Sequence, residues 1–227
     1  MQTLARPQID VRQFGADRQP VVVIDGFSGM AEELRSRAVS AEYQPGGAAY
    51  PGIRAWADPG YLSRRRSLMF EVLQKVFGLK QGIKLEASTY SLVTKPEREL
   101  SAGQRRPHYD GTESGLIAVM HYLLGPESGG TAFYRHRATG FEAITPDRQA
   151  IYEDAVRAED YSGEPGPAYH YGDNDRYEMI GEIEAQPDRF ILYRGWSLHS
   201  GVIPQDANLS ADPAQGRLTI NMFLMGA

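Results

Sequence analysis

The spacing of hydrophobic and polar residues changes from a helical period to a period of two near residue 83. Before that point, apolar side chains recur at helical spacing over residues 30–42 and again over residues 58–77. A short β-branched run at 21–24 predicts a buried strand, and the polar stretch 1–20 predicts an irregular arm. The first part of the chain is therefore predicted to be mainly helical.

After residue 83, alternating or continuous apolar runs predict a series of strands separated by turns. The predicted strands are 83–93, 116–124, 131–135, 178–185, 189–193 and 217–224. Between them, residues 139–177 are less regular, with a helix predicted from 146 to about 159 and then a loop or lid rich in Gly, Pro and Tyr. Helices followed by many short strands favour a mainly β fold, a sandwich or barrel with flanking helices.

The length of 227 residues fits one domain with a sizeable core. We expect residues 1–82 to form a helical N-terminal support and residues 83–227 to form a β core. The segment at about 139–177 would be a lid-like insert in that core.

Composition excludes several classes of protein. The formal net charge of −5 argues against a dedicated nucleic-acid binder, and the lack of cysteine excludes disulfides, thiolate metal ligands and cysteine nucleophiles. No apolar run approaches the roughly 20 residues needed to span a bilayer, and the N-terminus lacks the apolar segment of a signal peptide. We therefore expect a soluble, cytoplasmic protein without a membrane or nucleic-acid partner.

The segment Arg106-Pro107-His108-Tyr109-Asp110-Gly111 contains an imidazole and a carboxylate two residues apart. Two residues are one pleat repeat of a strand, so the side chains of His108 and Asp110 can point the same way. An imidazole and a carboxylate are two of the three ligands in the 2-His-1-carboxylate triad that holds non-haem Fe(II). An isolated motif of this length also occurs in ordinary surface turns, so the motif alone does not distinguish a metal site from a surface turn.

A third ligand would have to be another histidine, and His199 is the best placed, after the strand 189–193 and next to Ser200-Gly201. His121 lies inside a predicted strand and is typical of a hydrogen-bonded core histidine. His136 and His170 lie in polar, turn-like sequence and are predicted to be surface groups, although His170 could line a pocket as part of the lid.

The last predicted strand presents Arg217, Thr219 and Asn221 on one face, opposite a set of apolar residues. Such a polar face can point to solvent or can form the wall of a pocket. In a pocket, an arginine fork with a hydroxyl two residues on suits a carboxylate.

Taken together, an ordered set of motifs resembles the Fe(II)/2-oxoglutarate-dependent dioxygenases, in particular their prolyl-4-hydroxylase-like branch and its uncharacterised bacterial members. The set consists of His108-x-Asp110, Tyr122-Leu123, Gly129-Gly130-Thr131-x-Phe133, the strand 189–193, His199-Ser200-Gly201 and Arg217-x-Thr219. The resemblance covers about residues 83–227. It implies a double-stranded β-helix, also called a jelly roll or cupin-like fold.

The resemblance also implies roles for single residues. His108, Asp110 and His199 would hold Fe(II), and 2-oxoglutarate and O2 would take the remaining positions. Arg217 would bind the distal carboxylate of 2-oxoglutarate, with Thr219 and Tyr90 as further donors. Relatives that halogenate have a small residue where this chain has Asp110, so hydroxylation is expected, with decarboxylation of 2-oxoglutarate to succinate.

Substrate contacts are expected at Trp196, Asn221 and His170, and the lid adds further aromatic candidates at Tyr161, Tyr169 and Tyr171. The expected substrate is a small molecule or an amino-acid or peptide side chain, and a homodimer is left open. In the prolyl-hydroxylase branch a lysine often stands in place of Arg217, so collagen-type activity does not follow from the resemblance.

Two alternatives remain at this point. One is a jelly-roll binding or sensing protein without catalysis. The other is a cupin-type metalloenzyme that does not use 2-oxoglutarate, in which Arg217 would have no cosubstrate to hold.

Overall fold

The computed structural model describes residues 6–80, 82–162 and 168–226. Its strands, in chain order, are β1 (Gln8–Phe14), β2 (Gln19–Asp25), β3 (Gln44–Pro45), β4 (Gly52–Trp56), β5 (Ile83–Val93), β6 (Leu116–Tyr122), β7 (Gly130–His136), β8 (Tyr177–Glu184), β9 (Arg189–Arg194), β10 (His199–Val202) and β11 (Leu218–Gly226). Its α-helices are α1 (Ala31–Val39), α2 (Arg66–Lys75) and α3 (Pro146–Ser162). Short 3₁₀ segments occupy Pro59–Arg65, Glu97–Glu99, Ala102–Arg105 and Pro126–Ser128.

The strands form two antiparallel sheets that face each other. Across the described ranges, the main sheet has the order β1-β2-β9-β6-β11-β5-β4-β3, and the minor sheet has the order β10-β7-β8. Apolar side chains from both sheets meet between them, among them Tyr122 and Ile191 from the main sheet and Phe133 and Ile183 from the minor sheet. We call the side of the main sheet that faces the minor sheet its inner face, and the opposite side its outer face.

The outer face of the main sheet carries the larger core. Alternate residues of β2, β5, β6, β9 and β11 pack there against the apolar sides of α1 and α2, as Leu34 and Leu73 illustrate. The third helix, α3, packs on the other side of the molecule, where Tyr152 and Val156 contact the minor sheet. The helices thus cover the outside of a β-sandwich, as the sequence pattern predicts.

Most predicted elements are present, with differences at the N-terminus. Residues 8–14 form an edge strand of the main sheet, so the prediction of an irregular arm is wrong. This strand carries few apolar residues because an edge strand exposes much of its surface, with Ile9 48% and Val11 46% exposed. Residues 1–82 are accordingly not only helical, since four of the strands described above lie in them.

In the described part of the chain, no helix is long and apolar enough to cross a membrane.

Candidate metal centre

The His-x-Asp segment is attached to the edge of the minor sheet. His108 donates its backbone N–H to the carbonyl oxygen of His199 at 2.8 Å, and His199 donates in return at 2.9 Å. The backbone N–H of Asp110 donates to the carbonyl of Gly195 at 2.7 Å. Tyr109 points away, toward α3, where its hydroxyl donates to Glu153 at 2.8 Å. The extended backbone therefore turns His108 and Asp110 to one side, as their spacing predicts.

The side chains of His108, Asp110 and His199 converge. One ligand atom from each lies within 4.8 Å of the others. Nε2 of His108 is 3.9 Å from Oδ1 of Asp110, and Nε2 of His199 is 3.7 Å from Oδ2 of the same carboxylate. These separations are too long for hydrogen bonds, but they leave room for a shared cation.

The chemistry of this donor set fits a metal ion. Oδ2 of Asp110 is buried and has no hydrogen-bond partner among the described residues, which is costly for a carboxylate unless a cation satisfies it. Nδ1 of His199 lies 2.9 Å from the carbonyl oxygen of Ser197. Because a carbonyl only accepts, Nδ1 carries the proton, and the Nε2 lone pair of His199 faces Asp110. Two imidazoles and one carboxylate match the ligands that hold non-haem Fe(II).

Both imidazoles are held in the neutral form. The His108 side chain lines the cavity and is 54% exposed. Loss of hydration within the cavity, together with the neighbouring His199, lowers the pKa of His108 from 6.5 to about 4. Burial also lowers the pKa of His199 to about 4. Burial raises the pKa of Asp110, while His108 and Arg54 oppose that rise. At neutral pH both histidines thus offer a free lone pair to a metal.

The three side chains line a cavity of about 490 Å³ between the two sheets. The predicted polar face of β11 lines the same cavity with Arg217, Thr219 and Asn221. A cavity of this size is typical of small-molecule sites. Of the two possibilities that the sequence leaves open for this face, the structure shows the pocket wall and not the solvent-facing surface.

Arg217 is held in place by backbone carbonyls. Its side chain is buried, with Nε donating to the carbonyl of Ser128 at 2.6 Å and Nη2 donating to that of Gly130 at 3.2 Å. Gly129, between these two residues, has a positive φ of 87°, and a Cβ there would lie 2.0 Å from the carbonyl oxygen of Val202. Only glycine fits this turn, so the Gly-Gly pair positions the carbonyls that orient Arg217.

The neighbouring polar groups of β11 interact with each other. The hydroxyl of Thr219 donates to Oδ1 of Asn221 at 2.8 Å. In this arrangement the oxygen of Thr219 and the amide nitrogen of Asn221 remain for a ligand.

Two further residues of the cavity, Tyr50 and Arg54, escape the sequence analysis. The Tyr50 hydroxyl is buried without a hydrogen-bond partner in the described ranges. Burial raises the pKa of Tyr50, and Arg217 and Arg54 partly oppose the rise. Tyr50 lies in a Gly- and Pro-rich loop, where no periodic pattern marks an inward-facing side chain.

Three predicted site residues do not reach the cavity. Tyr90 lies on the outer face of the main sheet, where it pairs with Ile220 and Ala55 in the large core, so the prediction that it contacts 2-oxoglutarate is wrong. The Trp196 indole donates to Gln19 at 3.0 Å, on the side of β2.

His170 lies against Tyr134 and Tyr177, at ring-centroid distances of 4.7 and 5.5 Å, in the core between α3 and the minor sheet. The predictions of substrate contacts by Trp196 and His170 are therefore also wrong, because tertiary packing directs these side chains elsewhere.

The segment predicted as a lid contributes one aromatic residue to the cavity. Tyr169 lines it, and its hydroxyl donates to the carbonyl of Lys95 at 2.7 Å. Tyr171 is 58% exposed, and the side chain of Tyr161 lies outside the described part of the structure. The predicted helix within this segment is α3.

The remaining histidines are core residues. His121 is fully buried, as predicted, with hydrogen bonds at both ring nitrogens. His136, predicted to be at the surface, is also fully buried and hydrogen-bonds to Thr139 and Glu159. The polar sequence around His136 reflects these partners and not exposure to solvent.

Comparison with solved structures identifies the fold. The non-heme alpha ketoglutarate dependent epimerase SnoN from nogalamycin biosynthesis is 16% identical, with a TM-score of 0.53 over 93% of this chain and 80% of the other. HygX from Streptomyces hygroscopicus, solved with nickel, 2-oxoglutarate and hygromycin B bound, is 15% identical, with a TM-score of 0.52 over 93% of this chain and 84% of HygX. The viral collagen prolyl hydroxylase vCPH from Paramecium Bursaria Chlorella virus-1 is 14% identical, with a TM-score of 0.50 over 94% of this chain and 100% of vCPH.

The two facing sheets are thus the double-stranded β-helix, or jelly roll, that Fe/2-oxoglutarate-dependent oxygenases share, and the predicted fold class is confirmed. No curated protein matches the sequence. A family model described as "Family of unknown function (DUF6445)" matches residues 5–224. The match spans nearly the whole chain, and the protein therefore belongs to this family.

Proposed function

We propose that this protein is an Fe(II)- and 2-oxoglutarate-dependent oxygenase that hydroxylates a small molecule or an amino-acid or peptide side chain. The observation that carries the proposal is the convergence of His108, Asp110 and His199 on a cavity that also contains a buried arginine. A facial set of two imidazoles and one carboxylate is the typical ligand set of non-haem Fe(II) oxygenases. Support also comes from SnoN, a neighbour in fold that was solved with Fe3+ and alpha ketoglutarate.

In the proposed site, His108, Asp110 and His199 would hold the metal. Bound iron would supply the activation of O2 that couples oxidation of the substrate to decarboxylation of 2-oxoglutarate into succinate and CO2. The Ser197 carbonyl keeps the Nδ1 proton on His199, so that Nε2 stays available as a ligand. Asp110 contributes a negative charge that partly offsets the charge of the metal.

Arg217 would bind the distal carboxylate of 2-oxoglutarate. Its guanidinium is already oriented by the carbonyls of Ser128 and Gly130, so little side-chain entropy is lost when the cosubstrate binds. The Tyr50 hydroxyl has no hydrogen-bond partner among the described residues and can donate a second hydrogen bond, in the role that was predicted for Tyr90. Because Arg217 is buried, its contact with a carboxylate is stronger than the same contact at a surface.

The direct test is to add Fe(II), ascorbate, O2 and 2-oxoglutarate to the purified protein and to measure succinate. We expect succinate to form slowly without a substrate, and we expect N-oxalylglycine to inhibit it competitively. If the protein binds metal but produces no succinate with any tested substrate, the alternative of a non-catalytic jelly-roll protein is favoured.

The Arg217→Ala variant separates this proposal from a metalloenzyme that does not use 2-oxoglutarate. Loss of a buried charged donor costs about 1.5–3 kcal/mol, so the KM for 2-oxoglutarate should rise by about 10–100-fold. Affinity for Mn(II) in the absence of cosubstrate should stay unchanged. Full activity of Arg217→Ala on an identified substrate would instead support a cupin-type enzyme.

A further inference from the structure

A second arginine of the cavity, Arg54, has a distinctive environment. Arg54 lies on β4 and pairs in register with Ser91 of β5, which pairs in turn with Thr219 of β11. The three side chains therefore form a row across the inner face of the main sheet. The Arg54 guanidinium lies 4.1 Å from the centre of the Tyr50 ring, and this stacking fixes its position over the cavity.

Among the residues that the structure describes, no carboxylate forms an ion pair with Arg54, and its buried Nε has no hydrogen-bond partner. The other two arginines of the cavity differ in this respect. Arg106 forms an ion pair with Asp160 at 2.8 Å, and Arg217 is bound by two carbonyls. A partly desolvated cation without an ion-pair partner is costly, which indicates that Arg54 binds an anionic ligand.

The charges of the cavity lead to the same conclusion. The ionised residues among its described lining residues are Arg54, Arg106, Arg217 and Asp110. The carboxylate of Asp110 would offset one of the two positive charges of a divalent metal. The 2-oxoglutarate dianion would offset the other positive charge of the metal and the positive charge of Arg217. Since Arg106 is neutralised by Asp160, the positive charge of Arg54 then has no counter-charge.

Arg54 and Arg217 enter the cavity from different strands. Arg54 lies on β4, which is two strands away from β11 in the main sheet, and Arg217 immediately precedes β11. A group bound to Arg54 would thus lie beside a different strand from the proposed distal carboxylate.

We infer that Arg54 binds a carboxylate of the main substrate, so that the enzyme acts on an acidic small molecule. This inference rests on the proposed function, because the charge balance assumes a metal and 2-oxoglutarate. One uncompensated positive charge matches a monoanionic carboxylate better than a phosphate monoester, which carries close to two charges. The small apolar residues Ala48, Ala49 and Val93 line the same cavity and suit the apolar body of such an acid.

The test uses 4-fluorobenzoate and its neutral analogue 4-fluorobenzamide as probes, followed by ¹⁹F NMR. Both are titrated into protein loaded with Mn(II) and N-oxalylglycine, and Mn(II) broadens the signal of any probe that binds near it. The wild type should prefer the benzoate over the benzamide. In Arg54→Gln, benzoate affinity should fall by about tenfold or more, as expected for loss of a charged hydrogen bond, while benzamide affinity should not change.

Three controls make the outcome decisive. Arg54→Lys keeps the charge and should retain part of the preference for benzoate. Arg64→Gln makes the same charge change at an exposed position and should behave as the wild type. The affinity for N-oxalylglycine should change by less than about threefold in Arg54→Gln, in contrast to Arg217→Gln.

Equal binding of benzoate by the wild type and Arg54→Gln, or no preference for benzoate in the wild type, would overturn the inference. So would an Arg54→Gln variant that loses N-oxalylglycine as strongly as Arg217→Gln, since Arg54 would then serve the cosubstrate. If neither Mn(II) nor N-oxalylglycine binds the wild type, the proposed function fails. A benzoate preference that depends on Arg54 in the metal-free protein would still support an anion site in this cavity.

Discussion

The two sides of the main sheet each bury a cluster of histidine and carboxylate, and the two clusters differ in how their polar atoms are satisfied. On the outer face, His121 binds Asp188 at 2.9 Å and the Tyr61 hydroxyl at 3.0 Å, and Ser28 donates to the same carboxylate at 2.5 Å. On the cavity side, the ligand atoms of His108 and His199 stay 3.7–3.9 Å from Asp110.

Buried polar groups are normally hydrogen-bonded, and the outer cluster follows this rule, as expected for groups with a purely structural role. The inner cluster leaves a buried carboxylate oxygen without a partner in the described part of the protein. The two carboxylates are buried to a similar degree, at 13% exposure for Asp110 and 12% for Asp188, and only Asp110 requires a cation to satisfy its free oxygen. Removing the carboxylate of the inner cluster should therefore impair metal binding but not stability, and removing that of the outer cluster should impair stability but not metal binding.

The largest effect is expected for Asp110→Ala. Mutating a residue that hydrogen-bonds to a metal ligand typically lowers metal affinity or activity by about 10–100-fold, and loss of a ligand itself should cost more. Succinate formation should therefore fall to the level of the metal-free protein. The free energy of unfolding of the metal-free protein should stay equal or rise, because an unsatisfied buried carboxylate is removed. Urea denaturation and Mn(II) titration monitored by EPR measure both quantities. Unchanged decarboxylation in this variant would refute Asp110 as a ligand.

The reverse pattern is expected for Asp188→Ala on the outer face. Removing one partner of a buried, hydrogen-bonded pair costs about 3–5 kcal/mol, and urea denaturation should report a loss of that size. Under conditions in which the variant is still folded, its affinity for Mn(II) should match that of the wild type. A large loss of metal affinity without a loss of stability would contradict the division between the two faces.

How much of this contrast was predictable depends on what the sequence specifies locally. The spacing of His108 and Asp110, and the shared face of Arg217, Thr219 and Asn221, follow from the pleat of an extended chain and are confirmed. In the predicted strand 83–93, which is β5, Tyr90 and Ser91 lie on opposite faces, as the pleat of a strand requires. Which face turns inward is decided by pairing with β4 and β11, so the sequence alone assigned Tyr90 to the wrong side.

The residues that the sequence analysis missed or misplaced lie in loops or depend on distant partners. Tyr50 enters the cavity from a loop without periodicity. Trp196 is directed away by a hydrogen bond to Gln19, which lies far off in the chain. Short-range patterns therefore predict strands and which residues share a face, whereas the face that turns inward and the direction of a loop side chain are fixed only by the complete fold.

The pH dependence of stability should come partly from the outer cluster. Burial lowers the pKa of His121 below 6.5, although Asp188 opposes this shift. As the pH falls below about 6.5, the unfolded chain takes up a proton at this histidine that the folded protein does not, so the free energy of unfolding decreases. Urea denaturation between pH 7.5 and 5 should show a shallower decrease for His121→Gln than for the wild type. An identical slope would exclude His121 as a source.

The smallest effects concern a pair of tyrosines on opposite faces. Tyr50→Phe removes a donor from the cavity and should raise the KM for 2-oxoglutarate by about three- to tenfold, the usual worth of one hydrogen bond. Tyr90→Phe should leave this KM within about twofold of the wild type, since Tyr90 lies in the outer core. A larger effect of Tyr90→Phe than of Tyr50→Phe would show that the assignment of faces is wrong.

The backbone bridge between His108 and His199 has a consequence for how the protein matures. The two histidines belong to distant parts of the chain and are joined by reciprocal main-chain hydrogen bonds. A partly folded intermediate that lacks this bridge cannot present the complete ligand set, so a metal ion would bind only after the His108 segment has paired with β10. Metal ions would then bind only to molecules that have already folded. Binding would raise the free energy of unfolding in proportion to the logarithm of the free metal concentration.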